Sequence, residues 1–168
     1  MPDCYTCSIC GQNHDGVPMS WGPDAPDMWA AMVSDEREKR GELGTDQCII
    51  DERHFFIRGR IEISVADLVA PFAWLVWIEV SIRDFSAMSD LWTVEGRENK
   101  SLPYDGHLAN ELSIYERPTL GLAVKLCTRP VGNRPFVDIT DDHEIRDEQQ
   151  NGISPHRVQQ IADKVLNR

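Results

Sequence analysis

Three cysteines fall within the first ten residues, and their spacing is the sharpest chemical feature of the chain. Cys7 and Cys10 are separated by two residues and followed by Gly11, which permits the positive φ that a tight turn often needs. The backbone amides of such a turn point at the sulfur atoms, and two thiolates at this spacing supply half of a tetrahedral zinc site. The remaining ligands decide whether the motif binds metal.

Two further residues are suited to complete the site. His14 lies four positions after Cys10 and can fold back over the turn, while Cys48 opens a short apolar run that the sheet can bring alongside. We therefore predict one structural zinc ion held by Cys7, Cys10, His14 and Cys48. Cys4 is the main substitute for His14.

Other interpretations of the cysteines stay open. A redox Cys-x-x-Cys pair usually lies between a strand and a helix in a βαβ unit, whereas Cys7 has no predicted strand before it. Free cysteines are often small buried hydrophobes, as we expect for Cys127, but that does not account for three cysteines in a polar segment. The motif is also compatible with a site that has lost its metal. Soft thiolate ligands favour zinc over these alternatives.

Two other clusters carry polar side chains of interest. Residues 141–144 (Asp-Asp-His-Glu) suit a divalent cation in principle, but acidic residues more often begin a helix, where they complement its dipole. His54, Arg58 and Arg60 share the polar face of a predicted strand, which fits either an anion-binding surface or a solvated sheet face. The sequence contains no Gly-x-Ser-x-Gly elbow, Walker loop, Gly-x-Gly-x-x-Gly or His-Glu-x-x-His motif.

The elements that must position these residues form an α+β pattern. An N-terminal helix is predicted from Asp24 to Gly41, with an apolar stripe at helical spacing. Residues 54–65 and 72–82 alternate with period two, which predicts two long strands that place Trp74 and Trp77 on opposite faces. Further strands are predicted at residues 48–50, 119–127 and 136–140, and 95–106 is predicted to be a loop.

The C-terminus is predicted to contain two helices. The first covers about residues 142–150 and is closed by Gly152. The second begins after Ser154, a good N-cap, with Pro155 in its first turn. We also expect a short helix over residues 84–94.

Composition excludes several classes of function. The 168 residues are 41% hydrophobic and 27% charged, which is typical of one globular domain. We assign residues 1–18 to the zinc knuckle and 19–168 to the α+β body. A net charge of −11 argues against a nucleic-acid partner and against an anionic membrane surface. The absence of a signal-peptide pattern, with no disulfide framework among five cysteines, predicts a cytoplasmic protein.

Several tracts resemble a family of uncharacterised bacterial proteins, the domain of unknown function twenty-one ninety-nine. The resemblance begins with Cys7-x-x-Cys10-Gly11-x-x-His14 and continues through Asp46-x-Cys48-x-Ile50-Asp51 and 55–59 (Phe-Phe-Ile-Arg-Gly). Trp74-x-x-Trp77 and 152–154 (Gly-Ile-Ser) extend it over nearly the whole chain. It implies no activity, but it supports pairing Cys48 with the knuckle and leaves Cys4 as an addition peculiar to this chain.

These observations predict a single α+β domain with a mostly antiparallel sheet, packed by N- and C-terminal helices and carrying an N-terminal zinc knuckle. We favour a non-enzymatic interaction or regulatory module with a protein partner, because thiolate-rich zinc sites are usually structural and closed. The alternative is a zinc-dependent hydrolase, in which three ligands leave the fourth coordination position open.

Overall fold

The α+β class is confirmed by a computed structural model, which describes residues 5–7, 10–14 and 16–167, with the backbone alone for residues 5 and 14. A short N-terminal hairpin precedes a body built on one eight-stranded sheet. The strands are β1 (Tyr5–Thr6), β2 (Asn13–His14), β3 (Ser20–Trp21), β4 (Gly41–Leu43), β5 (Gln47–Ile50), β6 (His54–Ile63), β7 (Phe72–Val80), β8 (Tyr104–Leu108), β9 (Ala123–Cys127) and β10 (Phe136–Ile139).

Five α-helices accompany the sheet in the part of the chain that the structure describes. They are α1 (Asp27–Ala30), α2 (Ser34–Arg40), α3 (Ile82–Asp90), α4 (Glu144–Asn151) and α5 (Pro155–Leu166), and a 3₁₀ turn spans Arg97–Asn99. No helix among the described residues is long and apolar enough to cross a membrane.

Five strands of the body close on themselves. The pairing order β6-β7-β8-β9-β10 returns to β6, and β5 and β4 extend the sheet beyond it. The pairings are antiparallel except for β10 with β6 and β3 with β7. The prediction of a mostly antiparallel sheet is therefore confirmed, while its closure was not foreseen.

Closure of the sheet explains why β6 contains a glycine at position 59. Gly59 keeps regular pairing with Val76, so β6 contains no extra residue at this point. A Cβ atom at position 59 would lie only 2.5 Å from the Val137 side chain on β10. The glycine is needed because the closed sheet brings β10 across β6 at close range.

Alternation along β6 and β7 separates two apolar clusters. One face of each strand fills the interior, where Ile57, Trp74 and Ile78 pack with α5 residues such as Val158. The other face carries Phe56 and Trp77, which pack with the N-terminal segment through Met32. We call this second group the outer cluster; its buried members are Met32, Cys48, Ile50, Phe56, Trp77 and Ala109.

The prediction of one continuous N-terminal helix from Asp24 to Gly41 is wrong. The chain forms α1 and α2 separately, and residues 31–33 leave the helix so that Met32 enters the outer cluster. Gly41 ends α2 as predicted: its amide donates to the Arg37 carbonyl, and its extended backbone begins β4. The C-terminal prediction is confirmed: the Ser154 hydroxyl accepts a hydrogen bond from the Arg157 amide at the start of α5.

Candidate functional site

The predicted metal motif forms the turn of a β-hairpin. β1 pairs antiparallel with β2, which places residue 5 opposite 14 and Thr6 opposite Asn13. The Cys7 amide donates to the Gln12 carbonyl at 2.9 Å, and the Gly11 amide donates to the Cys7 carbonyl at 2.9 Å. Gly11 has a φ of +69°, as its position after the second cysteine predicts. This turn places Cys7 and Cys10 on one short loop.

Docking on α5 holds one side of the hairpin. Cys7 is only 1% exposed and packs against Ala162, with Val17 beside them. The Asn167 side-chain amide donates to the Cys7 sulfur at 3.1 Å and to the Asp163 carbonyl at 2.7 Å. Cys10, in contrast, is exposed. Cys7 is therefore buried against the helix, whereas Cys10 lies at the surface of the hairpin.

The structure does not bring Cys48 to this hairpin. Cys48 lies on β5 opposite Phe56 and belongs to the outer cluster, whereas Cys7 belongs to the cluster on α5. Burial raises the pKa of the Cys48 thiol to about 12, because the apolar surroundings disfavour a thiolate. The period-two pattern of the sheet turns Cys48 to the face of the outer cluster, so Cys48 and Cys7 belong to different apolar clusters.

The remaining predicted ligands lie partly outside the described residues. The backbone of His14 belongs to β2, but its side chain is outside the description, as is the whole of Cys4. Among the described residues, no three His, Cys, Asp or Glu side chains are grouped so that they could hold a metal ion. The cysteines at positions 7 and 10 fit half of a zinc site, and the zinc knuckle as a whole stays a prediction.

The acidic run at 141–144 has structural roles in the fold. The His143 ring Nδ1 accepts a hydrogen bond from the Ile145 amide at the start of α4. The Asp141 carboxylate accepts from the Ala123 amide, and Glu144 lies 3.1 Å from the Arg117 guanidinium. The helix start that we favoured over a cation site agrees with these contacts.

The polar face of β6 is divided among three environments. The His54 Nδ1 lies 2.7 Å from the Glu79 carboxylate. Arg58 stacks over the Trp77 ring at 5.6 Å and donates to the Pro23 carbonyl, and burial lowers the pKa of its guanidinium. Only Arg60 of the three faces a cleft rich in other arginines. They do not form one anion-binding surface.

Comparison with known proteins now decides the family. A family profile described as an uncharacterised protein conserved in bacteria (DUF2199) matches residues 6–153, which is most of the chain. The chain belongs to the DUF2199 family. No curated protein and no solved structure matches this DUF2199 protein significantly. The membership confirms the resemblance drawn from the cysteine and strand motifs and adds no activity to it.

One group of residues in this DUF2199 protein was missed as a site. Residues 130–135 have the composition of a turn, yet Arg134 within them and Arg129 just before them enter the same cleft as Arg60 and Arg97. The repeated arginine at both ends of the turn was the available signal. The two arginines of the turn form a cleft only together with Arg60 and Arg97. These residues are remote in sequence and reach the turn through the closure of the sheet.

Proposed function

We propose that this DUF2199 protein is a non-enzymatic interaction module whose N-terminal hairpin holds one structural zinc ion. The observation that carries the proposal is the Cys7–Gln12 turn, in which two cysteines share a loop closed by backbone hydrogen bonds. Zinc sites rich in thiolates are usually structural, and their ligand sets are usually closed. Such an ion would fasten the hairpin without adding a reactive group.

The proposed ligands all come from the hairpin segment. Cys7 and Cys10 supply two thiolates, and His14 in β2 and Cys4, next before β1 in sequence, are the candidates for the other two. Cys48 leaves the set because its thiol belongs to the outer cluster. When bound, zinc supplies a cross-link between thiolates and imidazole that strengthens a two-stranded hairpin too short to be stable alone.

No specific observation favours the hydrolase alternative. A catalytic zinc site keeps one coordination position open for water, whereas sites rich in thiolates, such as the one proposed here, are usually structural. We therefore propose a structural role for the zinc ion and place the ion in the hairpin.

An apolar groove supports the interaction role. It has a volume of about 400 Å³, and its walls include Met28 and Leu120, which are 39% and 54% exposed. Phe56 forms part of its floor, and its lining also includes Asp27, Glu79 and His107. Apolar side chains at a groove with acidic neighbours suit a protein segment that presents a hydrophobic residue beside lysine or arginine.

Metal analysis of protein purified without chelator tests the zinc site. We expect about one equivalent of zinc in the native protein and loss of zinc in Cys7→Ser and Cys10→Ser. The matched controls are Cys48→Ala and Cys127→Ser, which should keep the metal. Native protein without zinc, or a Cys48→Ala variant that alone loses it, would contradict the proposed site.

Site-specific crosslinking in bacterial cells tests the groove separately. A photoreactive amino acid at position 120 should give an adduct whose partner peptide carries an apolar residue next to lysine or arginine. The matched control is position 102, where Leu102 is 85% exposed but lies outside the groove. Equal adducts from both positions, or none from position 120, would count against the interaction role.

A further inference from the structure

An arginine-lined cleft lies on the side of the body where β6, β10 and the 3₁₀ turn meet. Its volume is about 410 Å³, within the range of small-molecule sites, and it is lined by Arg60, Arg97, Arg129, Arg134, Trp92 and Asp46. Four guanidinium groups here contrast with a chain whose net charge is −11. Like charges repel at short range, so this clustering requires either carboxylate partners or an anionic ligand.

Arg97 is the scaffold of the cleft. Its side chain is 3% exposed, and it donates to the carbonyls of Trp92 at 2.5 Å, Arg129 at 2.7 Å and Asn133 at 2.8 Å. Its guanidinium also lies over the Trp92 ring at 5.2 Å. These bonds fix the loop of residues 129–134, so that the two arginines at its ends are held in place before any ligand arrives.

The other three arginines each bond to few acceptors within the described part of the chain. Arg129 Nη1 donates to the Glu62 carboxylate at 2.8 Å, and Arg134 Nε donates to Asp46 at 2.6 Å. Arg60 Nε lies 3.2 Å from Glu62 Oε1, but it has no hydrogen-bond acceptor of good geometry among the described residues. Each guanidinium carries five N–H donors, so several on each side chain remain for a ligand.

Charge in the cleft is not balanced by these carboxylates. Glu62 and Asp46 together oppose four guanidinium groups, which leaves two positive charges in excess. The Arg129 guanidinium holds the pKa of the Glu62 carboxyl below its ordinary value, so Glu62 stays ionised and keeps the arginines oriented. The excess charge is suited to a dianion.

We propose that this cleft binds a small molecule that carries a phosphate group. A phosphate monoester carries about −1.5 to −2 charges near pH 7, which matches the excess, and its oxygens point in several directions. A planar carboxylate is satisfied by one guanidinium fork, whereas three guanidinium groups around one space suit a tetrahedral oxyanion. Trp92 and Val131 provide an apolar wall for the rest of the molecule.

Calorimetric titration and thermal unfolding at low ionic strength test this proposal with two probes. Inorganic phosphate and phenyl phosphate should both bind and raise Tm, and phenyl phosphate should bind more tightly because its ring meets Trp92. Equal affinity for the two probes would also support the site and identify it as one for free phosphate. Nucleic acid is a poor candidate because the chain is acidic outside the cleft.

The decisive variant is Arg60→Gln, since this side chain donates no hydrogen bond of good geometry to any residue that the structure describes. It should lower phosphate affinity roughly tenfold or more, because it removes a charge-assisted hydrogen bond. Arg83→Gln, which removes an exposed arginine of α3, is the matched control and should bind as the native protein does. If Arg60→Gln fails to fold by circular dichroism, Arg60→Lys takes its place, with weaker binding expected because the fork is lost.

Three results would overturn the phosphate site. The first is no binding of either probe at about 10 mM, where even a weak Kd near 1 mM would be detected. The second is equal weakening by Arg60→Gln and Arg83→Gln, which would mean a diffuse electrostatic effect. The third is tighter binding of succinate than of phosphate, which would assign the cleft to a carboxylate.

Discussion

Cys7 and Cys48 are equally hidden from solvent, at 1% exposure each, but their surroundings are opposite. The Cys7 sulfur accepts a hydrogen bond from the Asn167 amide at the end of α5. Cys48 is enclosed by the outer cluster, where burial raises the pKa of its thiol. Low exposure therefore does not identify a metal ligand. What matters is whether the surroundings favour the thiolate that zinc requires.

The two regions that contain these cysteines are also stabilised by different contacts. Cys48 belongs to a sheet of eight strands with apolar clusters on both faces. Cys7 belongs to a hairpin of two strands, each two residues long, which contacts the body through a few side chains near Ala162. We infer that the body is stable by its own packing, whereas the hairpin depends on α5 and on the proposed zinc.

The largest expected effect is on the body. Phe56→Ala removes a fully buried ring from the outer cluster and should lower the free energy of unfolding by about 3–5 kcal/mol. Urea denaturation measures this loss. Val17→Ala truncates a partly buried side chain that packs beside Cys7 and at the edge of the main core, and it should cost clearly less. If Val17→Ala lowered the free energy of unfolding more than Phe56→Ala does, the inference that the body is the more stable region would be wrong.

A smaller effect is expected when Cys48 is replaced by serine. The hydroxyl would enter an apolar environment with little to bond to, so the free energy of unfolding should fall by about 1–3 kcal/mol. Cys127→Ser, at a half-buried position, should stay within about 0.5 kcal/mol of the native protein. Equal losses of unfolding free energy for the two variants in urea would contradict this prediction. They would show that the surroundings of Cys48 accept a hydroxyl as readily as those of Cys127.

The pH dependence of stability gives an independent measure of the Cys48 environment. The folded state raises the pKa of this thiol from 9.0 to about 12, so the neutral form is favoured by folding. The stabilisation is full below pH 9 and is lost as pH rises toward 12, because the unfolded thiol ionises first. Urea titrations from pH 8 to pH 10 should show a decline that Cys48→Ala makes shallower.

If the decline above pH 9 is the same in Cys48→Ala, other groups cause it. Cys127→Ala is a further comparison, since burial also raises the pKa of that thiol but to a lesser extent. Its removal should change the slope less than removal of Cys48.

The smallest expected effect concerns the contact between the hairpin and α5. Asn167→Ala removes the hydrogen bonds to the Cys7 sulfur and the Asp163 carbonyl, at a cost of about 0.5–1.5 kcal/mol. Hydrogen exchange at the Cys7 and Gly11 amides should accelerate while amides in β6 do not change. Acceleration in β6 as well would mean that this contact stabilises the whole fold.

Much of the body could be predicted from the sequence because its signals are local. Period-two alternation places β6 and β7 nearly to the residue, and the Ser154 cap locates α5. β8 was missed because Pro103 and Gly106 look like loop residues. Gly106 is required there, since a Cβ atom would lie 2.5 Å from the Ile78 side chain across the closed sheet.

The candidate sites were harder to predict because they depend on contacts between remote residues. The face that Cys48 presents is set by its register with Phe56, which a short apolar run does not specify. Arg60 and Arg134 meet only because β10 runs parallel beside β6. Spacing predicted the tight turn at Gly11, which is built from neighbours in sequence, but not the strands β1 and β2 that this turn joins.

Hydrogen exchange before and after chelation tests the central claim most directly. The claim is that zinc belongs to the hairpin and that the body folds without it. The account predicts that chelation releases about one zinc and speeds exchange only in residues 5–14 and the last turn of α5, with β5, β6 and β7 unchanged. Loss of protection across β6 and β7, or at the Cys48 amide alone, would contradict it.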